Sequence, residues 1–149
     1  MAFRAITHQM WVSPQIGLND VAAAAAQGIG LIINNRPDDE DPDQVPGADV
    51  AAAARAAGLE YLAIPVTHAG FSQPQVTAMA AALGAATGPV LAYCRSGTRS
   101  TLLWALAEAS QGGDADALTN LAAKAGYDIN PVRPLIDMLN AQAPNANPA

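Results

Sequence analysis

The stretch Val90-Leu91-Ala92-Tyr93-Cys94-Arg95-Ser96-Gly97-Thr98-Arg99-Ser100 joins a short apolar run to a polar turn and then to a helix-forming segment. Preceded by Thr87-Gly88-Pro89, the run Val90 to Tyr93 reads as a strand buried on both faces. A helix is expected from about Arg99 to Ser110, so Cys94 stands where a strand ends and a loop leads into a helix. Backbone N–H groups of such a loop and of the first helical turn have no intrahelical partner and favour negative charge. Arg95 and Arg99 add to that field, which favours the thiolate of Cys94 over the thiol. Gly97 permits the turn that aims the N–H groups inward. A cysteine with only a packing role needs none of these flanks. Cys94 therefore reads as a catalytic nucleophile whose loop takes an oxyanion or a sulfane sulfur.

Outward from this loop, short apolar runs alternate with alanine-rich helical stretches, the pattern of an α/β domain with a central, mainly parallel sheet flanked by helices. Phe3 to Val12 reads as a strand or edge hairpin. Asn19 or Asp20 then caps a helix to about Gln27, with Gly28 beyond its end. Strands are expected over Ile29 to Asn34 and Glu60 to Val66, separated by an acidic, proline-rich loop from Asn35 to Gly47 and a helix from Ala48 to Ala57. Ser72-Gln73-Pro74-Gln75 has the form of a capping box opening a helix to about Ala86. Asp114 and Pro131 open two more. One domain is expected over 1–141, with a polar, proline-containing and disordered tail over 142–149.

The chain of 149 residues is long enough for one core, and its 51% hydrophobic content can fill it. Thirteen acidic against seven basic residues give a net charge of −6, which argues against general attraction to nucleic acid or to an anionic membrane. A small anionic substrate would depend on local positive charge. The single cysteine excludes an intramolecular disulfide and a Cys-x-x-Cys redox pair. With no long apolar run and no leader-like start, a cytoplasmic protein is expected. No cofactor is implied, and no metal, since neither His8 nor His68 lies in a ligand-spaced cluster. Trp11 and Trp104 read as core, and Phe71 as core or pocket wall.

Several segments together resemble the bacterial beta-lactamase hydrolase-like protein, phosphatase-like domain family (DUF442). They are Val12-Ser13-Pro14-Gln15-Ile16, Ile33-Asn34-Asn35-Arg36-Pro37-Asp38, Gly58-Leu59-Glu60-Tyr61, Ile64-Pro65-Val66 and Gly88 to Ser100. The resemblance implies a tyrosine or dual-specificity phosphatase-like fold, in which Arg99 is the oxyanion-binding arginine and Ser100 the serine that stabilises the thiolate. The phosphatases of that superfamily carry Cys-x5-Arg, however, whereas Cys94-x4-Arg99 is one residue shorter and has the rhodanese loop length. Their general acid is an aspartate after a strand like Ile64-Pro65-Val66; here Thr67-His68-Ala69-Gly70 follows.

These departures favour rhodanese-type sulfur transfer through a Cys94 persulfide, from a small anionic or sulfane-sulfur donor to a thiol acceptor, with a persulfide-handling protein as a conceivable partner. The alternative is a phosphatase acting on a phosphorylated substrate through a Cys94 phosphoenzyme, and a third reading is a non-catalytic oxyanion-binding module. His68 stands as the proton donor or as a loop residue without that role. Arg36 either adds charge to the site or pairs with Asp38, Asp39 or Glu40, and Arg95 either contacts substrate or is a solvated charge. Ser96, Gly97 and Thr98 complete the substrate-binding loop.

Overall fold

The computed structural model describes residues 3–144. Its five-stranded sheet comprises β1 (Arg4–Ala5), β2 (Met10–Ser13), β3 (Leu31–Asn34), β4 (Glu60–Ala63) and β5 (Val90–Tyr93), in the order β1-β2-β5-β3-β4. Only β1 runs antiparallel to its neighbour. The last strand in sequence thus sits at the centre, with Ser13 and Asn34 in register on either side of Tyr93. Cys94 consequently emerges at the carboxyl end of the middle strand, between two loops that leave the sheet in the same direction. Open α/β sheets bind their ligands at that edge.

All residues of β3 and β5 are buried, as continuous apolar runs covered on both faces must be. Helices α1 (Leu18–Ala26) and α2 (Gly47–Ala56) cover one face, where Val21, Ala24, Val50 and Ala54 pack on Ile32, Leu91 and Tyr93. The other face carries α3 (Gln73–Ala85), α4 (Thr98–Ser110), α5 (Ala115–Lys124) and α6 (Arg133–Gln142), packed on Met10, Val12, Ile33, Val90 and Ala92. The helix after Cys94, α4, is buried from Ser100 to Ala107 and again at Ala109. A helix buried almost all round has little amphipathic pattern, and it holds the loop before it rigidly.

The expected elements are present with shifted ends. Helix α1 begins after Gly17, and Asp20 serves it from the third helical position, accepting the Gly17 N–H at 2.8 Å, so neither Asn19 nor Asp20 is the N-cap. Strand β4 stops at Ala63, but the N–H groups of Ile64 and Val66 still donate at 2.9 Å to Asn34 and Asn35, which lie at and beyond the end of β3. Trp104 is core, and Phe71 packs against it. The tail expected over 142–149 lies outside the described residues from 145 onward; Gln142 closes α6 and Ala143 is buried. No described helix is long and apolar enough to cross a membrane.

Candidate active site

Both neighbouring strands pin the Cys94 loop. Asn35 N–H donates to the Tyr93 carbonyl at 2.8 Å, and Gln15 N–H donates to that of Arg95 at 3.2 Å. Gly97 adopts φ +92°, a left-handed conformation that glycine enters without a Cβ penalty, and caps α4. Its N–H points at the Cys94 sulfur at 3.1 Å, while the Thr101 hydroxyl fastens the Gly97 carbonyl at 2.8 Å. The N–H groups of Arg95, Ser96, Arg99 and Ser100 meet no protein acceptor among the described residues. The sulfur therefore lies, fully buried, under a turn of backbone donors.

Arg99 interacts with the Cys94 sulfur and has its guanidinium held in place. Nη1 and Nη2 take the two oxygens of Glu40 end-on at 2.8 and 2.9 Å, and Nη1 also donates to the Val66 carbonyl at 2.6 Å. Guanidinium geometry then places the Nε–H and the adjacent Nη2–H together on the edge turned away from Glu40, a fork suited to bind a tetrahedral oxyanion in bidentate fashion. The pKa of Arg99 is raised first by its hydrogen bond to Glu40 and further by the Cys94 sulfur, so the group stays cationic.

Sequence reasoning placed Glu40 only as a possible partner of Arg36 and missed its contact with Arg99. It bridges Arg99 and Arg36, whose Nε reaches it at 2.9 Å, and its side chain is only 16% exposed. Arg36 itself is fixed by Glu40, by Gln15 at 3.0 Å and by Asp41 at 2.6 Å. Of its two possible roles the ion-pair one is what these contacts show. Its partners are Glu40 and Asp41, not Asp38 or Asp39.

Arg95 is 67% exposed and faces Asp41 at 3.5 Å, a surface charge beside the site. Ser96 and Thr98 join their hydroxyls at 3.1 Å on the exposed side of the loop. Ser100 is buried, and its hydroxyl has no partner among the described residues. His68 is exposed and makes no hydrogen bond among the described residues; Val66, just before its loop, offers the carbonyl that Arg99 holds. Tyr93 has its pKa raised mainly by burial and brings no charge.

The Glu40 carboxyl is lowered from an ordinary 4.5 to about 2, chiefly by its hydrogen bond from Arg99 against an opposing effect of burial, with Arg36 adding to the lowering. Because the folded pKa is the lower one, its contribution to stability is full above pH 4.5 and disappears as pH falls toward 2. Acid titration followed by tryptophan fluorescence should show stability declining across that window, and Glu40→Gln should flatten the decline.

The family described as beta-lactamase hydrolase-like protein, phosphatase-like domain, has a model that matches residues 2–111. The beta-lactamase hydrolase-like protein of Agrobacterium fabrum is 36% identical over 107 residues, 72% of this chain and 25% of that protein. The chain thus spans about a quarter of the length of that relative. The crystal structure of a candidate phosphatase from Neisseria meningitidis Z2491 is 34% identical and superposes with a TM-score of 0.81 over 93% of this chain and 99% of that one. P. aeruginosa TpbA, crystallised with pTyr, shares the fold at 20% identity and a TM-score of 0.66, covering 96% of this chain and 90% of that one.

Proposed function

The chain belongs to the phosphatase-like domain family of beta-lactamase hydrolase-like proteins, and on that premise we propose that it hydrolyses phosphate monoesters through a phosphocysteine at Cys94. The observation that carries this reading is the Arg99 guanidinium, clamped end-on by Glu40 so that its Nε–Nη2 edge is turned away from the carboxylate, and interacting with the Cys94 sulfur. Such an edge recognises the oxygens of a phosphoryl group, and the unpartnered loop amides supply further donors to charge developing on them. In the first step the Cys94 thiolate attacks phosphorus, the ester P–O bond breaks, and the leaving oxygen departs with its electron pair and takes a proton from water. Water then cleaves the S–P bond, giving inorganic phosphate and the free thiolate. No carboxylate stands in Thr67-His68-Ala69-Gly70 to protonate the leaving group. The substrates are therefore aryl phosphates, whose phenols ionise at a pKa of ~10, rather than alkyl esters.

A second reading has its own support. The Cys94-x4-Arg99 spacing makes a smaller ring than the phosphatase loop, and sulfur transfer needs no proton donor when sulfite leaves. Here the thiolate attacks the sulfane sulfur of thiosulfate, the S–S bond breaks with the pair on sulfite, and Cys94 persulfide passes its outer sulfur to a thiol or to cyanide. One preparation tests both readings. Release of p-nitrophenol from its phosphate ester should exceed formation of thiocyanate from thiosulfate and cyanide by at least about tenfold in kcat/KM, a gap of ~1.4 kcal/mol in barrier. The reverse ranking, with a gain of one sulfur atom on Cys94 by mass spectrometry, would replace phosphate hydrolysis by sulfur transfer.

A further inference from the structure

We infer that Tyr127 is a positioning residue for the nucleophile's loop, its hydroxyl holding the Ser96–Gly97 peptide in the orientation that turns the Gly97 N–H onto the Cys94 sulfur. The inference rests on Cys94 being the reactive group, whichever substrate it takes. Tyr127 lies beyond the span 2–111 that the family model matches, after the end of α5. Its hydroxyl donates to the Ser96 carbonyl at 3.1 Å. That carbonyl and the Gly97 N–H belong to one peptide unit, and in a trans peptide they point in opposite directions. With the oxygen tied outward to Tyr127, the N–H is directed inward to sulfur, where it lies at 3.1 Å. Rotation of this peptide by half a turn would break both bonds and set a carbonyl oxygen against the thiolate.

The tyrosine is itself firmly placed. Its N–H donates to the Ala122 carbonyl at 2.9 Å, and the Arg4 guanidinium lies 5.7 Å from the ring centroid while donating to the Ala125 carbonyl at 3.0 Å. The hydroxyl fits so closely against Gly97 that a Cβ there would clash with the oxygen. Gly97 thus answers two demands, a positive φ and room for Tyr127. Burial raises the pKa of the tyrosine, which keeps it a donor at neutral pH.

Tyr127→Phe removes the hydroxyl and keeps the ring. Hydrogen exchange followed by NMR should show the Gly97 amide exchanging about three- to tenfold faster in the variant, the range expected for one lost hydrogen bond. The slow amides of β5 and α4 should keep their rates, and p-nitrophenyl phosphate turnover should fall by the same factor as the Gly97 change, with KM little altered. Unchanged exchange at Gly97 would overturn the inference, as would a uniform acceleration through β5 and α4, which marks a purely structural role. The exchange measurement uses no substrate. A chain inactive on aryl phosphates that still shows the localised Gly97 effect would retain Tyr127 in this role and lose only the phosphatase reading.

Discussion

Cys94→Ser should lower kcat/KM by about four orders of magnitude or more while leaving the melting temperature within a few degrees of the parent chain. Serine nearly matches cysteine in size, and the side chain lies fully buried beneath the loop, so the backbone has no reason to move. What is lost is the sulfur nucleophile. The hydroxyl keeps the Gly97 N–H as a partner but does not ionise at neutral pH, and no base among the described residues is hydrogen-bonded to that position. Steady-state kinetics beside differential scanning calorimetry decide the matter. Activity within tenfold of the parent would place the chemistry elsewhere, and a collapse of the melting transition would make Cys94 a packing residue first.

The second large effect is expected from Glu40→Gln. One carboxylate serves two guanidinium groups, and the Arg36 side chain is only 4% exposed. The amide offers one acceptor oxygen and turns an N–H pair toward a cation. Removing one partner of a buried ion pair destabilises by roughly 3 to 5 kcal/mol, to which the remaining contacts of Arg36 with Asp41 and Gln15 set a lower figure, about 2 to 3 kcal/mol. Without its end-on clamp Arg99 swings about its long stem, and misplacement by an ångström costs on the order of 10²-fold in rate. Urea unfolding and kcat/KM together measure the two losses. A variant that keeps both stability and rate would show that Val66 alone holds Arg99, and Glu40 would then have no part in the site.

The loop carrying the nucleophile was legible in the sequence because its signals are local. Val90 to Tyr93 forms a strand at the expected residues, since Thr87-Gly88-Pro89 and the polar loop delimit an apolar run at both ends. Cys94, Gly97 and Arg99 lie within one turn of chain and declare their relation by spacing. Glu40 did not. It stands among Asp38, Asp39, Asp41 and Asp43, and nothing in composition distinguishes the carboxylate that reaches Arg99, 59 positions away. The same holds for Tyr127, whose tie to Ser96 spans 31 positions. Arg36 was ambiguous for a related reason: a strand-end arginine facing an acidic loop suits a site and an ion pair equally, and only the direction taken by that loop decides. The Asp20 carboxylate reverses its expected role because Gly17, rather than a polar residue, ends the extended segment before α1.

The strand order has a consequence in time. Strand β2 ends at Ser13 and β5 begins at Val90, yet these two are neighbours in the finished sheet. At translation rates of about 5 to 20 residues per second, β2 waits roughly 4 to 15 s for the strand it must meet. Until then β1 with β2 and, once residue 63 has been added, β3 with β4 can form only two separate ribbons, each with an open edge where β5 belongs. The nascent chain is most exposed to edge-to-edge association just before residue 90, and a holding chaperone would find its target there. Once β5 inserts, it closes both edges, and the same event carries Cys94 to the middle of the sheet.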